Sequence, residues 1–203
     1  MNDPIFAVMM IGLGGYFAWL WREDLRAHLA GAPANTGLMP GATPATPRAC
    51  LIAAAGALVI LSAETAGEIA FGLSEEQSHM TLLLAAYTLV AAITEEIIFR
   101  GYLVVEKRGR AALLGGVLGA SLLFGLLHPF LWQWDEDGFA LTLTPKGFLS
   151  FTAVFVASLW FYACRFSAWN PTRSLLPCFA AHAAKNAGVI AIKAAQGFLV
   201  GAW

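Results

Sequence analysis

The sequence predicts an all-α, polytopic transmembrane helical bundle of about six spans, and three observations carry that prediction. Apolar residues make up 59% of the 203-residue chain and charged residues 12%, about half the charged share usual in soluble domains. The apolar residues gather into runs long enough to cross about 30 Å of hydrocarbon, with approximate bounds 5–21, 50–71, 80–104, 113–134, 148–164 and 177–200. Lys and Arg, finally, fall almost wholly on alternate loops. Six spans and short loops use up the chain, which reads as a single integral membrane domain in a lipid bilayer.

Each run has its own punctuation. The first, from Ile5 to Trp21, follows the acidic leader Asn2-Asp3 and precedes Arg22 and Arg26; a signal peptide carries its positive charge in front, so this reads as a retained helix. Residues 30–47, with Pro33, Pro40, Pro44 and Pro47, read as a mobile Pro-rich loop. The second run contains Glu64 and Glu68 and ends before the polar turn Ser74 to His79. The third runs into Thr94-Glu95-Glu96-Ile97-Ile98-Phe99-Arg100 and leaves the membrane near Glu106 to Arg110. The fourth ends in the aromatic cluster Phe130 to Trp134, read as an interface belt, with Pro129 predicting a kink beside His128. The fifth and sixth flank a loop from Arg165 to Pro177.

Charge fixes an expected orientation and excludes some partners. Arg22, Arg26 and Arg48 lie in the first loop, Lys107, Arg108 and Arg110 in the third, and Arg165 and Arg173 in the fifth, against Lys146 on the other side. The positive-inside rule then puts the odd loops in the cytoplasm and both termini outside. A net charge of −1 with no long basic run gives no footing for nucleic acid. Cys50, Cys164 and Cys178 form neither a CxxC pair nor an even disulfide set and read as packing residues. No metal-ligand motif and no cofactor motif is visible; HExxH is absent, as is GxSxG.

The chemistry concentrates in the third, fourth and sixth runs. One charge in a membrane span costs about 2.5–3.5 kcal/mol on insertion scales, so Glu95, Glu96 and Arg100 together call for pairing or a chemical role. At i,i+4 spacing Glu96 can pair with Arg100, while Glu95 points about 100° away and stays free. His128 lies in the fourth run, and His182 and Asn186 share a face of the sixth. At about 1.5 Å per residue, Glu95 lies about 16 Å from Glu106 and His182 about 8–12 Å from the start of its helix; His128 reaches a similar level if its helix starts near Gly115-Gly116. A carboxylate in an apolar span can serve as general base beside an imidazole, and side-chain donors from His and Asn can hold an oxyanion. Those residues point to hydrolysis of a peptide bond inside the membrane. Polar groups with a purely structural role, a non-catalytic membrane scaffold and a proton-coupled transporter using Glu64, Glu68, Glu95 and Glu96 stay open as alternatives.

EExxxR, FxxxH and HxxxN, in this order between Glu95 and Asn186, resemble the three motifs of the CPBP family of intramembrane glutamic proteases. That family includes CaaX-processing endopeptidases and bacterial bacteriocin-processing and immunity proteins. The resemblance implies a catalytic core over 94–186 in which Glu95 and His128 activate water, His182 and Asn186 form the oxyanion hole, and Glu96 and Arg100 support the site. It also implies a membrane-associated protein or peptide as substrate, with a bacterial peptide, leader or C-terminal sorting tag expected ahead of a prenylated CaaX protein. The Ala- and Gly-rich composition suggests a bacterial inner membrane. No motif explains Glu64 and Glu68, which count to about 21 and 27 Å from the cytoplasmic side, nor Lys193 at about 24 Å. Matching depths make Lys193 the expected partner of one or both carboxylates, with recognition of a basic substrate segment as the competing role.

Overall fold

The computed structural model describes residues 4–31, 39–106, 108–135 and 138–203. The described residues form six α-helices: α1 (Pro4–Leu29), α2 (Pro47–Ala70), α3 (Leu82–Glu96), α4 (Arg110–Leu127), α5 (Pro145–Phe166) and α6 (Leu176–Ala195). α3 continues as a π-helical turn over Ile97–Tyr102, and a hairpin of β1 (Trp132–Asp135) and β2 (Gly138–Leu141) joins α4 to α5. Among the described residues, five helices are long and apolar enough to cross a membrane, counting α3 with its π turn. α6 does not reach that standard, because His182, Lys185, Asn186 and Lys193 interrupt it. It packs against α2, α3 and α5, while α1 lies on α3 and α4 on α5.

Local chemistry explains the helix ends. Thr46, Thr81 and Thr144 cap α2, α3 and α5 by accepting the backbone N–H three residues on, at 3.0–3.2 Å. α2 and α6 close with glycine at positive φ, Gly72 and Gly197. In each, the next residue's N–H reaches back to a helical carbonyl, Leu73 to Glu68 and Phe198 to Lys193, both at 2.8 Å, as a left-handed C-cap requires.

Several bounds differ from those expected. The first helix runs on to Leu29, its last turns carrying the Glu23–Arg26 pair at 2.8 Å. The fourth was expected over 113–134 but starts at Arg110 and stops at Leu127. Pro129 forbids helical geometry at His128, which adopts φ −86° and ψ 128°, and extended chain follows. The sixth was expected to reach 200 but ends at Ala195, and the tail doubles back. Gly201 and Ala202 offer their carbonyls to the N–H groups of Leu82 and Leu83 at the start of α3. In the loop expected to be mobile, residues 32–38 lie outside the described residues. The rest is tied down: Met39 N donates to Asp24, Trp21 donates to the Pro40 carbonyl, and Thr43 and Pro44 bond with Thr172 and Ser174.

Candidate active site

Glu96 is the hub of the site. Its side chain is fully buried, and its Oε1 accepts from Arg100 Nη1 at 3.0 Å and from His182 Nδ1 at 2.8 Å. Arg100, equally buried, donates through Nη2 to the Ser158 hydroxyl at 2.6 Å and the Ser158 carbonyl at 3.2 Å. That hydroxyl donates in turn to Ser121 Oγ at 2.9 Å, tying α5 to α4. The guanidinium lies 4.6–5.7 Å from the ring centroids of Phe99, Phe124, Phe161 and Tyr162. A cation without water is thus compensated by a carboxylate, a hydroxyl and aromatic faces.

The chain makes this geometry by widening the helix after Glu96. The Leu103 N–H bonds to the Ile98 carbonyl, five residues back, at 2.9 Å. Tyr162 on α5 donates its hydroxyl to the Phe99 carbonyl at 2.6 Å. Single π turns of this kind are frequent at functional sites.

Glu95, one residue earlier, faces another way. Its side chain is 32% exposed against 0% for Glu96, and His182 Nε2 lies 3.7 Å from its Oε2. His182 therefore stands between the two glutamates, one ring nitrogen toward each, with its ring stacked on Phe161 at 4.8 Å. Asn186, one turn further along α6, donates its amide to the Thr88 carbonyl of α3 at 2.9 Å.

His128 arrives from the end of α4. Its Nδ1 is 2.8 Å from the Phe124 carbonyl, and since a carbonyl can only accept, Nδ1 carries the proton. The neutral ring then keeps a lone pair on Nε2. α4 begins five or six residues earlier than the depth argument assumed, but the levels still meet, because the imidazole folds back over Phe124. The Phe124 ring in turn lies 4.8 Å from His128, 4.9 Å from Phe99 and 6.0 Å from His182.

The family model for type II CAAX prenyl endopeptidase Rce1-like proteins matches residues 77–188, more than half of the chain and a range that contains all seven motif residues. The chain belongs to this family. No curated protein and no solved structure matches it. As a member of the CAAX protease family it is a peptide hydrolase, and its apolar helices make it an integral membrane protein whose substrates are membrane peptides or proteins.

Outside the motifs of this CAAX-protease chain, one pairing differs from expectation. Lys193 contacts neither Glu64 nor Glu68 among the described residues; its ammonium donates to the Ser78 carbonyl at 2.5 Å and to Gln77 Oε1 at 3.2 Å. Glu64 pairs with Lys185 at 3.0 Å and Glu68 with Lys146. Gln77 also donates to Glu68 at 2.7 Å, so Lys193 reaches that carboxylate through one intervening amide. The depth count misplaced the partner of Glu64, since Lys185 counts about 12 Å shallower than Lys193. Lys193 sits at the end of α6, where the 73–80 turn folds across it, whereas Lys185 lies two turns earlier on the face toward α2.

Sequence reasoning also missed Ser121, Ser158, Tyr162 and the aromatic rings around Arg100. The two serines left a trace as hydroxyls inside apolar spans. Of the rings, Phe124 stood in the FxxxH motif without a role, and Phe99, Phe161 and Tyr162 left no trace, since aromatic residues are common in any span.

Proposed function

We propose that this protein is a glutamic-type intramembrane endopeptidase in which Glu95 and His128 activate the attacking water. Glu96 and Arg100 hold His182, and His182 with Asn186 stabilises the oxyanion. The observation that carries the reading is the division of labour between adjacent carboxylates: Glu96 is buried and engaged twice, while Glu95 is partly open and lies beyond hydrogen-bond distance of its nearest partner.

The chemistry follows from the hydrogen bonds. Water loses a proton to Glu95 as its oxygen attacks the amide carbon, with the His128 Nε2 lone pair orienting it. To donate to the resulting oxyanion through Nε2 while Nδ1 donates to Glu96, the His182 ring must carry both protons. Two carboxylates and two cations, Arg100 and His182, then balance within the site. The Asn186 amide has a second N–H to offer beside the one held by Thr88. Collapse of the tetrahedral intermediate expels the amine, which takes up the proton.

For the substrate, the Ala- and Gly-rich chain favours a bacterial peptide, leader or C-terminal sorting tag. A second reading, cleavage behind a prenylated cysteine, draws on the family whose model matches. The deciding experiment reconstitutes the protein with paired peptides of one C-terminal sequence, with and without an isoprenyl group on cysteine. Cleavage of the unmodified peptide alone supports the first reading and cleavage of the modified one alone the second. A Glu95→Gln protein that cleaves at the wild-type rate would overturn the mechanism.

A further inference from the structure

The hairpin between α4 and α5 has its faces inverted relative to one built for water. Opposed residues of an antiparallel pair, and residues two apart on a strand, share a face. The register Trp132↔Leu141 and Trp134↔Phe139 therefore collects two indoles, a phenyl ring and a leucine on one face, leaving Gln133 and Ala140 on the other. The Trp132 and Phe139 rings stack at 6.1 Å, and Trp134 lies 6.4 Å from the same phenyl ring. Trp134 is 75% exposed, Phe139 58% and Leu141 65%, while Ala140 between them is partly covered. Aromatic side chains of about 150–250 Å² each make the uncovered area a few hundred Å², as much as the largest apolar patch that water-soluble monomers usually leave bare.

What covers this face follows from the chain on either side of it. α4 and α5 are both long and apolar enough to cross the membrane, and the hairpin joins the end of one to the start of the other. It therefore stands at a bilayer boundary, flanked by exposed Leu126, Leu127, Leu143 and Phe148. The Trp132 indole N–H donates to the Leu126 carbonyl at 2.7 Å, which fixes the hairpin against the last turn of α4. We propose that the hairpin is a membrane-interface foot whose Trp132, Trp134, Phe139 and Leu141 face lies between lipid headgroups and acyl chains, the zone that indoles favour.

The foot also bears on the site. Phe130, two residues before β1, stacks on His128 with centroids 5.7 Å apart and planes 13° from parallel. The depth at which the foot rests in the lipid thereby sets the seat of His128. This second step rests on the proposed role of His128; the location of the foot does not.

The test places the full chain in phosphatidylcholine–phosphatidylglycerol vesicles, with phosphatidylcholine brominated near the headgroup end of its acyl chains as quencher. Subtracting the fluorescence of Trp134→Phe from that of the wild type isolates Trp134. Its emission should be quenched by the brominated lipid and largely spared by aqueous acrylamide. The reverse pattern would overturn the proposal. So would protection from acrylamide that appears only on adding a peptide, since the face would then dock substrate. For the second step, the pair Trp134→Asp and Phe139→Asp should lower kcat several-fold in vesicles with KM little changed, while Phe139→Trp keeps the wild-type rate. Wild-type kcat in the double variant would sever the foot from His128. A wild-type protein that cleaves nothing would sink the protease reading and leave the fluorescence result to stand alone.

Discussion

Glu96 accepts from two partners, Arg100 and His182, through one oxygen, and its other oxygen, Oε2, is buried without a hydrogen bond among the described residues. A Glu96→Gln side chain keeps the shape but strands the Arg100 cation, and breaking one side of a buried pair costs about 3–5 kcal/mol. Thermal unfolding in detergent should register that loss along with the loss of cleavage. Glu95→Gln, at a side chain one-third exposed and without a hydrogen bond among the described residues, should leave the melting temperature within experimental error and abolish cleavage. If both substitutions destabilise equally, the two glutamates share one structural role and the proposed division fails. A second residue-scale prediction concerns Glu64 and Lys185, both nearly buried and 3.0 Å apart. Lys185→Met should destabilise by several kcal/mol, and Glu64→Gln added to it should restore part of that, because removing a whole buried pair costs less than removing half. Full additivity of the two losses in a melting series would show that the residues are not coupled.

Helices and their joints were legible to different degrees, for physical reasons. α2 and α5 could be read because long apolar runs have few competing structures, but both start three residues before the expected bounds, at Thr-Pro pairs that the apolar run alone does not reveal. The hairpin could not. Its strands are four residues each, too short for alternation to outweigh an aromatic run that also suits a helix end, although Pro129 already barred the helix from continuing through His128. The π turn was equally invisible, since nothing in Ile97 to Tyr102 announces a wider winding; it is recognised by what it presents to α5. Of the site, the EExxxR pair was readable from i,i+4 spacing, but a one-dimensional depth count has no azimuth. Lys193 was matched by count to carboxylates that Lys185, about 12 Å shallower on the same helix, and Lys146 in fact hold. The joint itself can be tested with Tyr162→Phe, which leaves the buried Phe99 carbonyl without its hydroxyl donor and should cost about 1–3 kcal/mol. If the π turn sets the directions of Glu95 and Glu96, kcat should also fall well beyond what the stability loss explains; an unchanged kcat in the folded fraction would make Tyr162 a packing residue.

At the scale of the molecule, the loops sort into two ends, and they do so through contacts independent of the charge count. Thr43 and Pro44 in the first loop bond with Thr172 and Ser174 in the fifth, and Arg173 of the fifth pairs at 2.7 Å with Glu106 of the third. Lys146 in the first turn of the fifth helix meets Glu68 at the end of the second, and Lys193 meets Ser78 in the second loop. Among the described residues, the end that gathers the odd loops carries Arg22, Arg26, Arg48, Arg108, Arg110, Arg165 and Arg173, so the positive-inside rule acts on a surface the fold brings together. The expected orientation therefore has the odd loops in the cytoplasm and the termini outside. Ala30→Cys at one end and Glu76→Cys at the other are exposed positions that leave every basic residue in place. Cys164 and Cys178 are buried and Cys50 partly so, and labelling of the parent chain supplies their background. In intact bacterial cells a membrane-impermeant maleimide should label Glu76→Cys directly, and Ala30→Cys only after permeabilisation. Labelling of Ala30→Cys from outside would invert the molecule and, with Glu95 and His182 lying toward the end of the odd loops, would put the proposed active site nearer the external face.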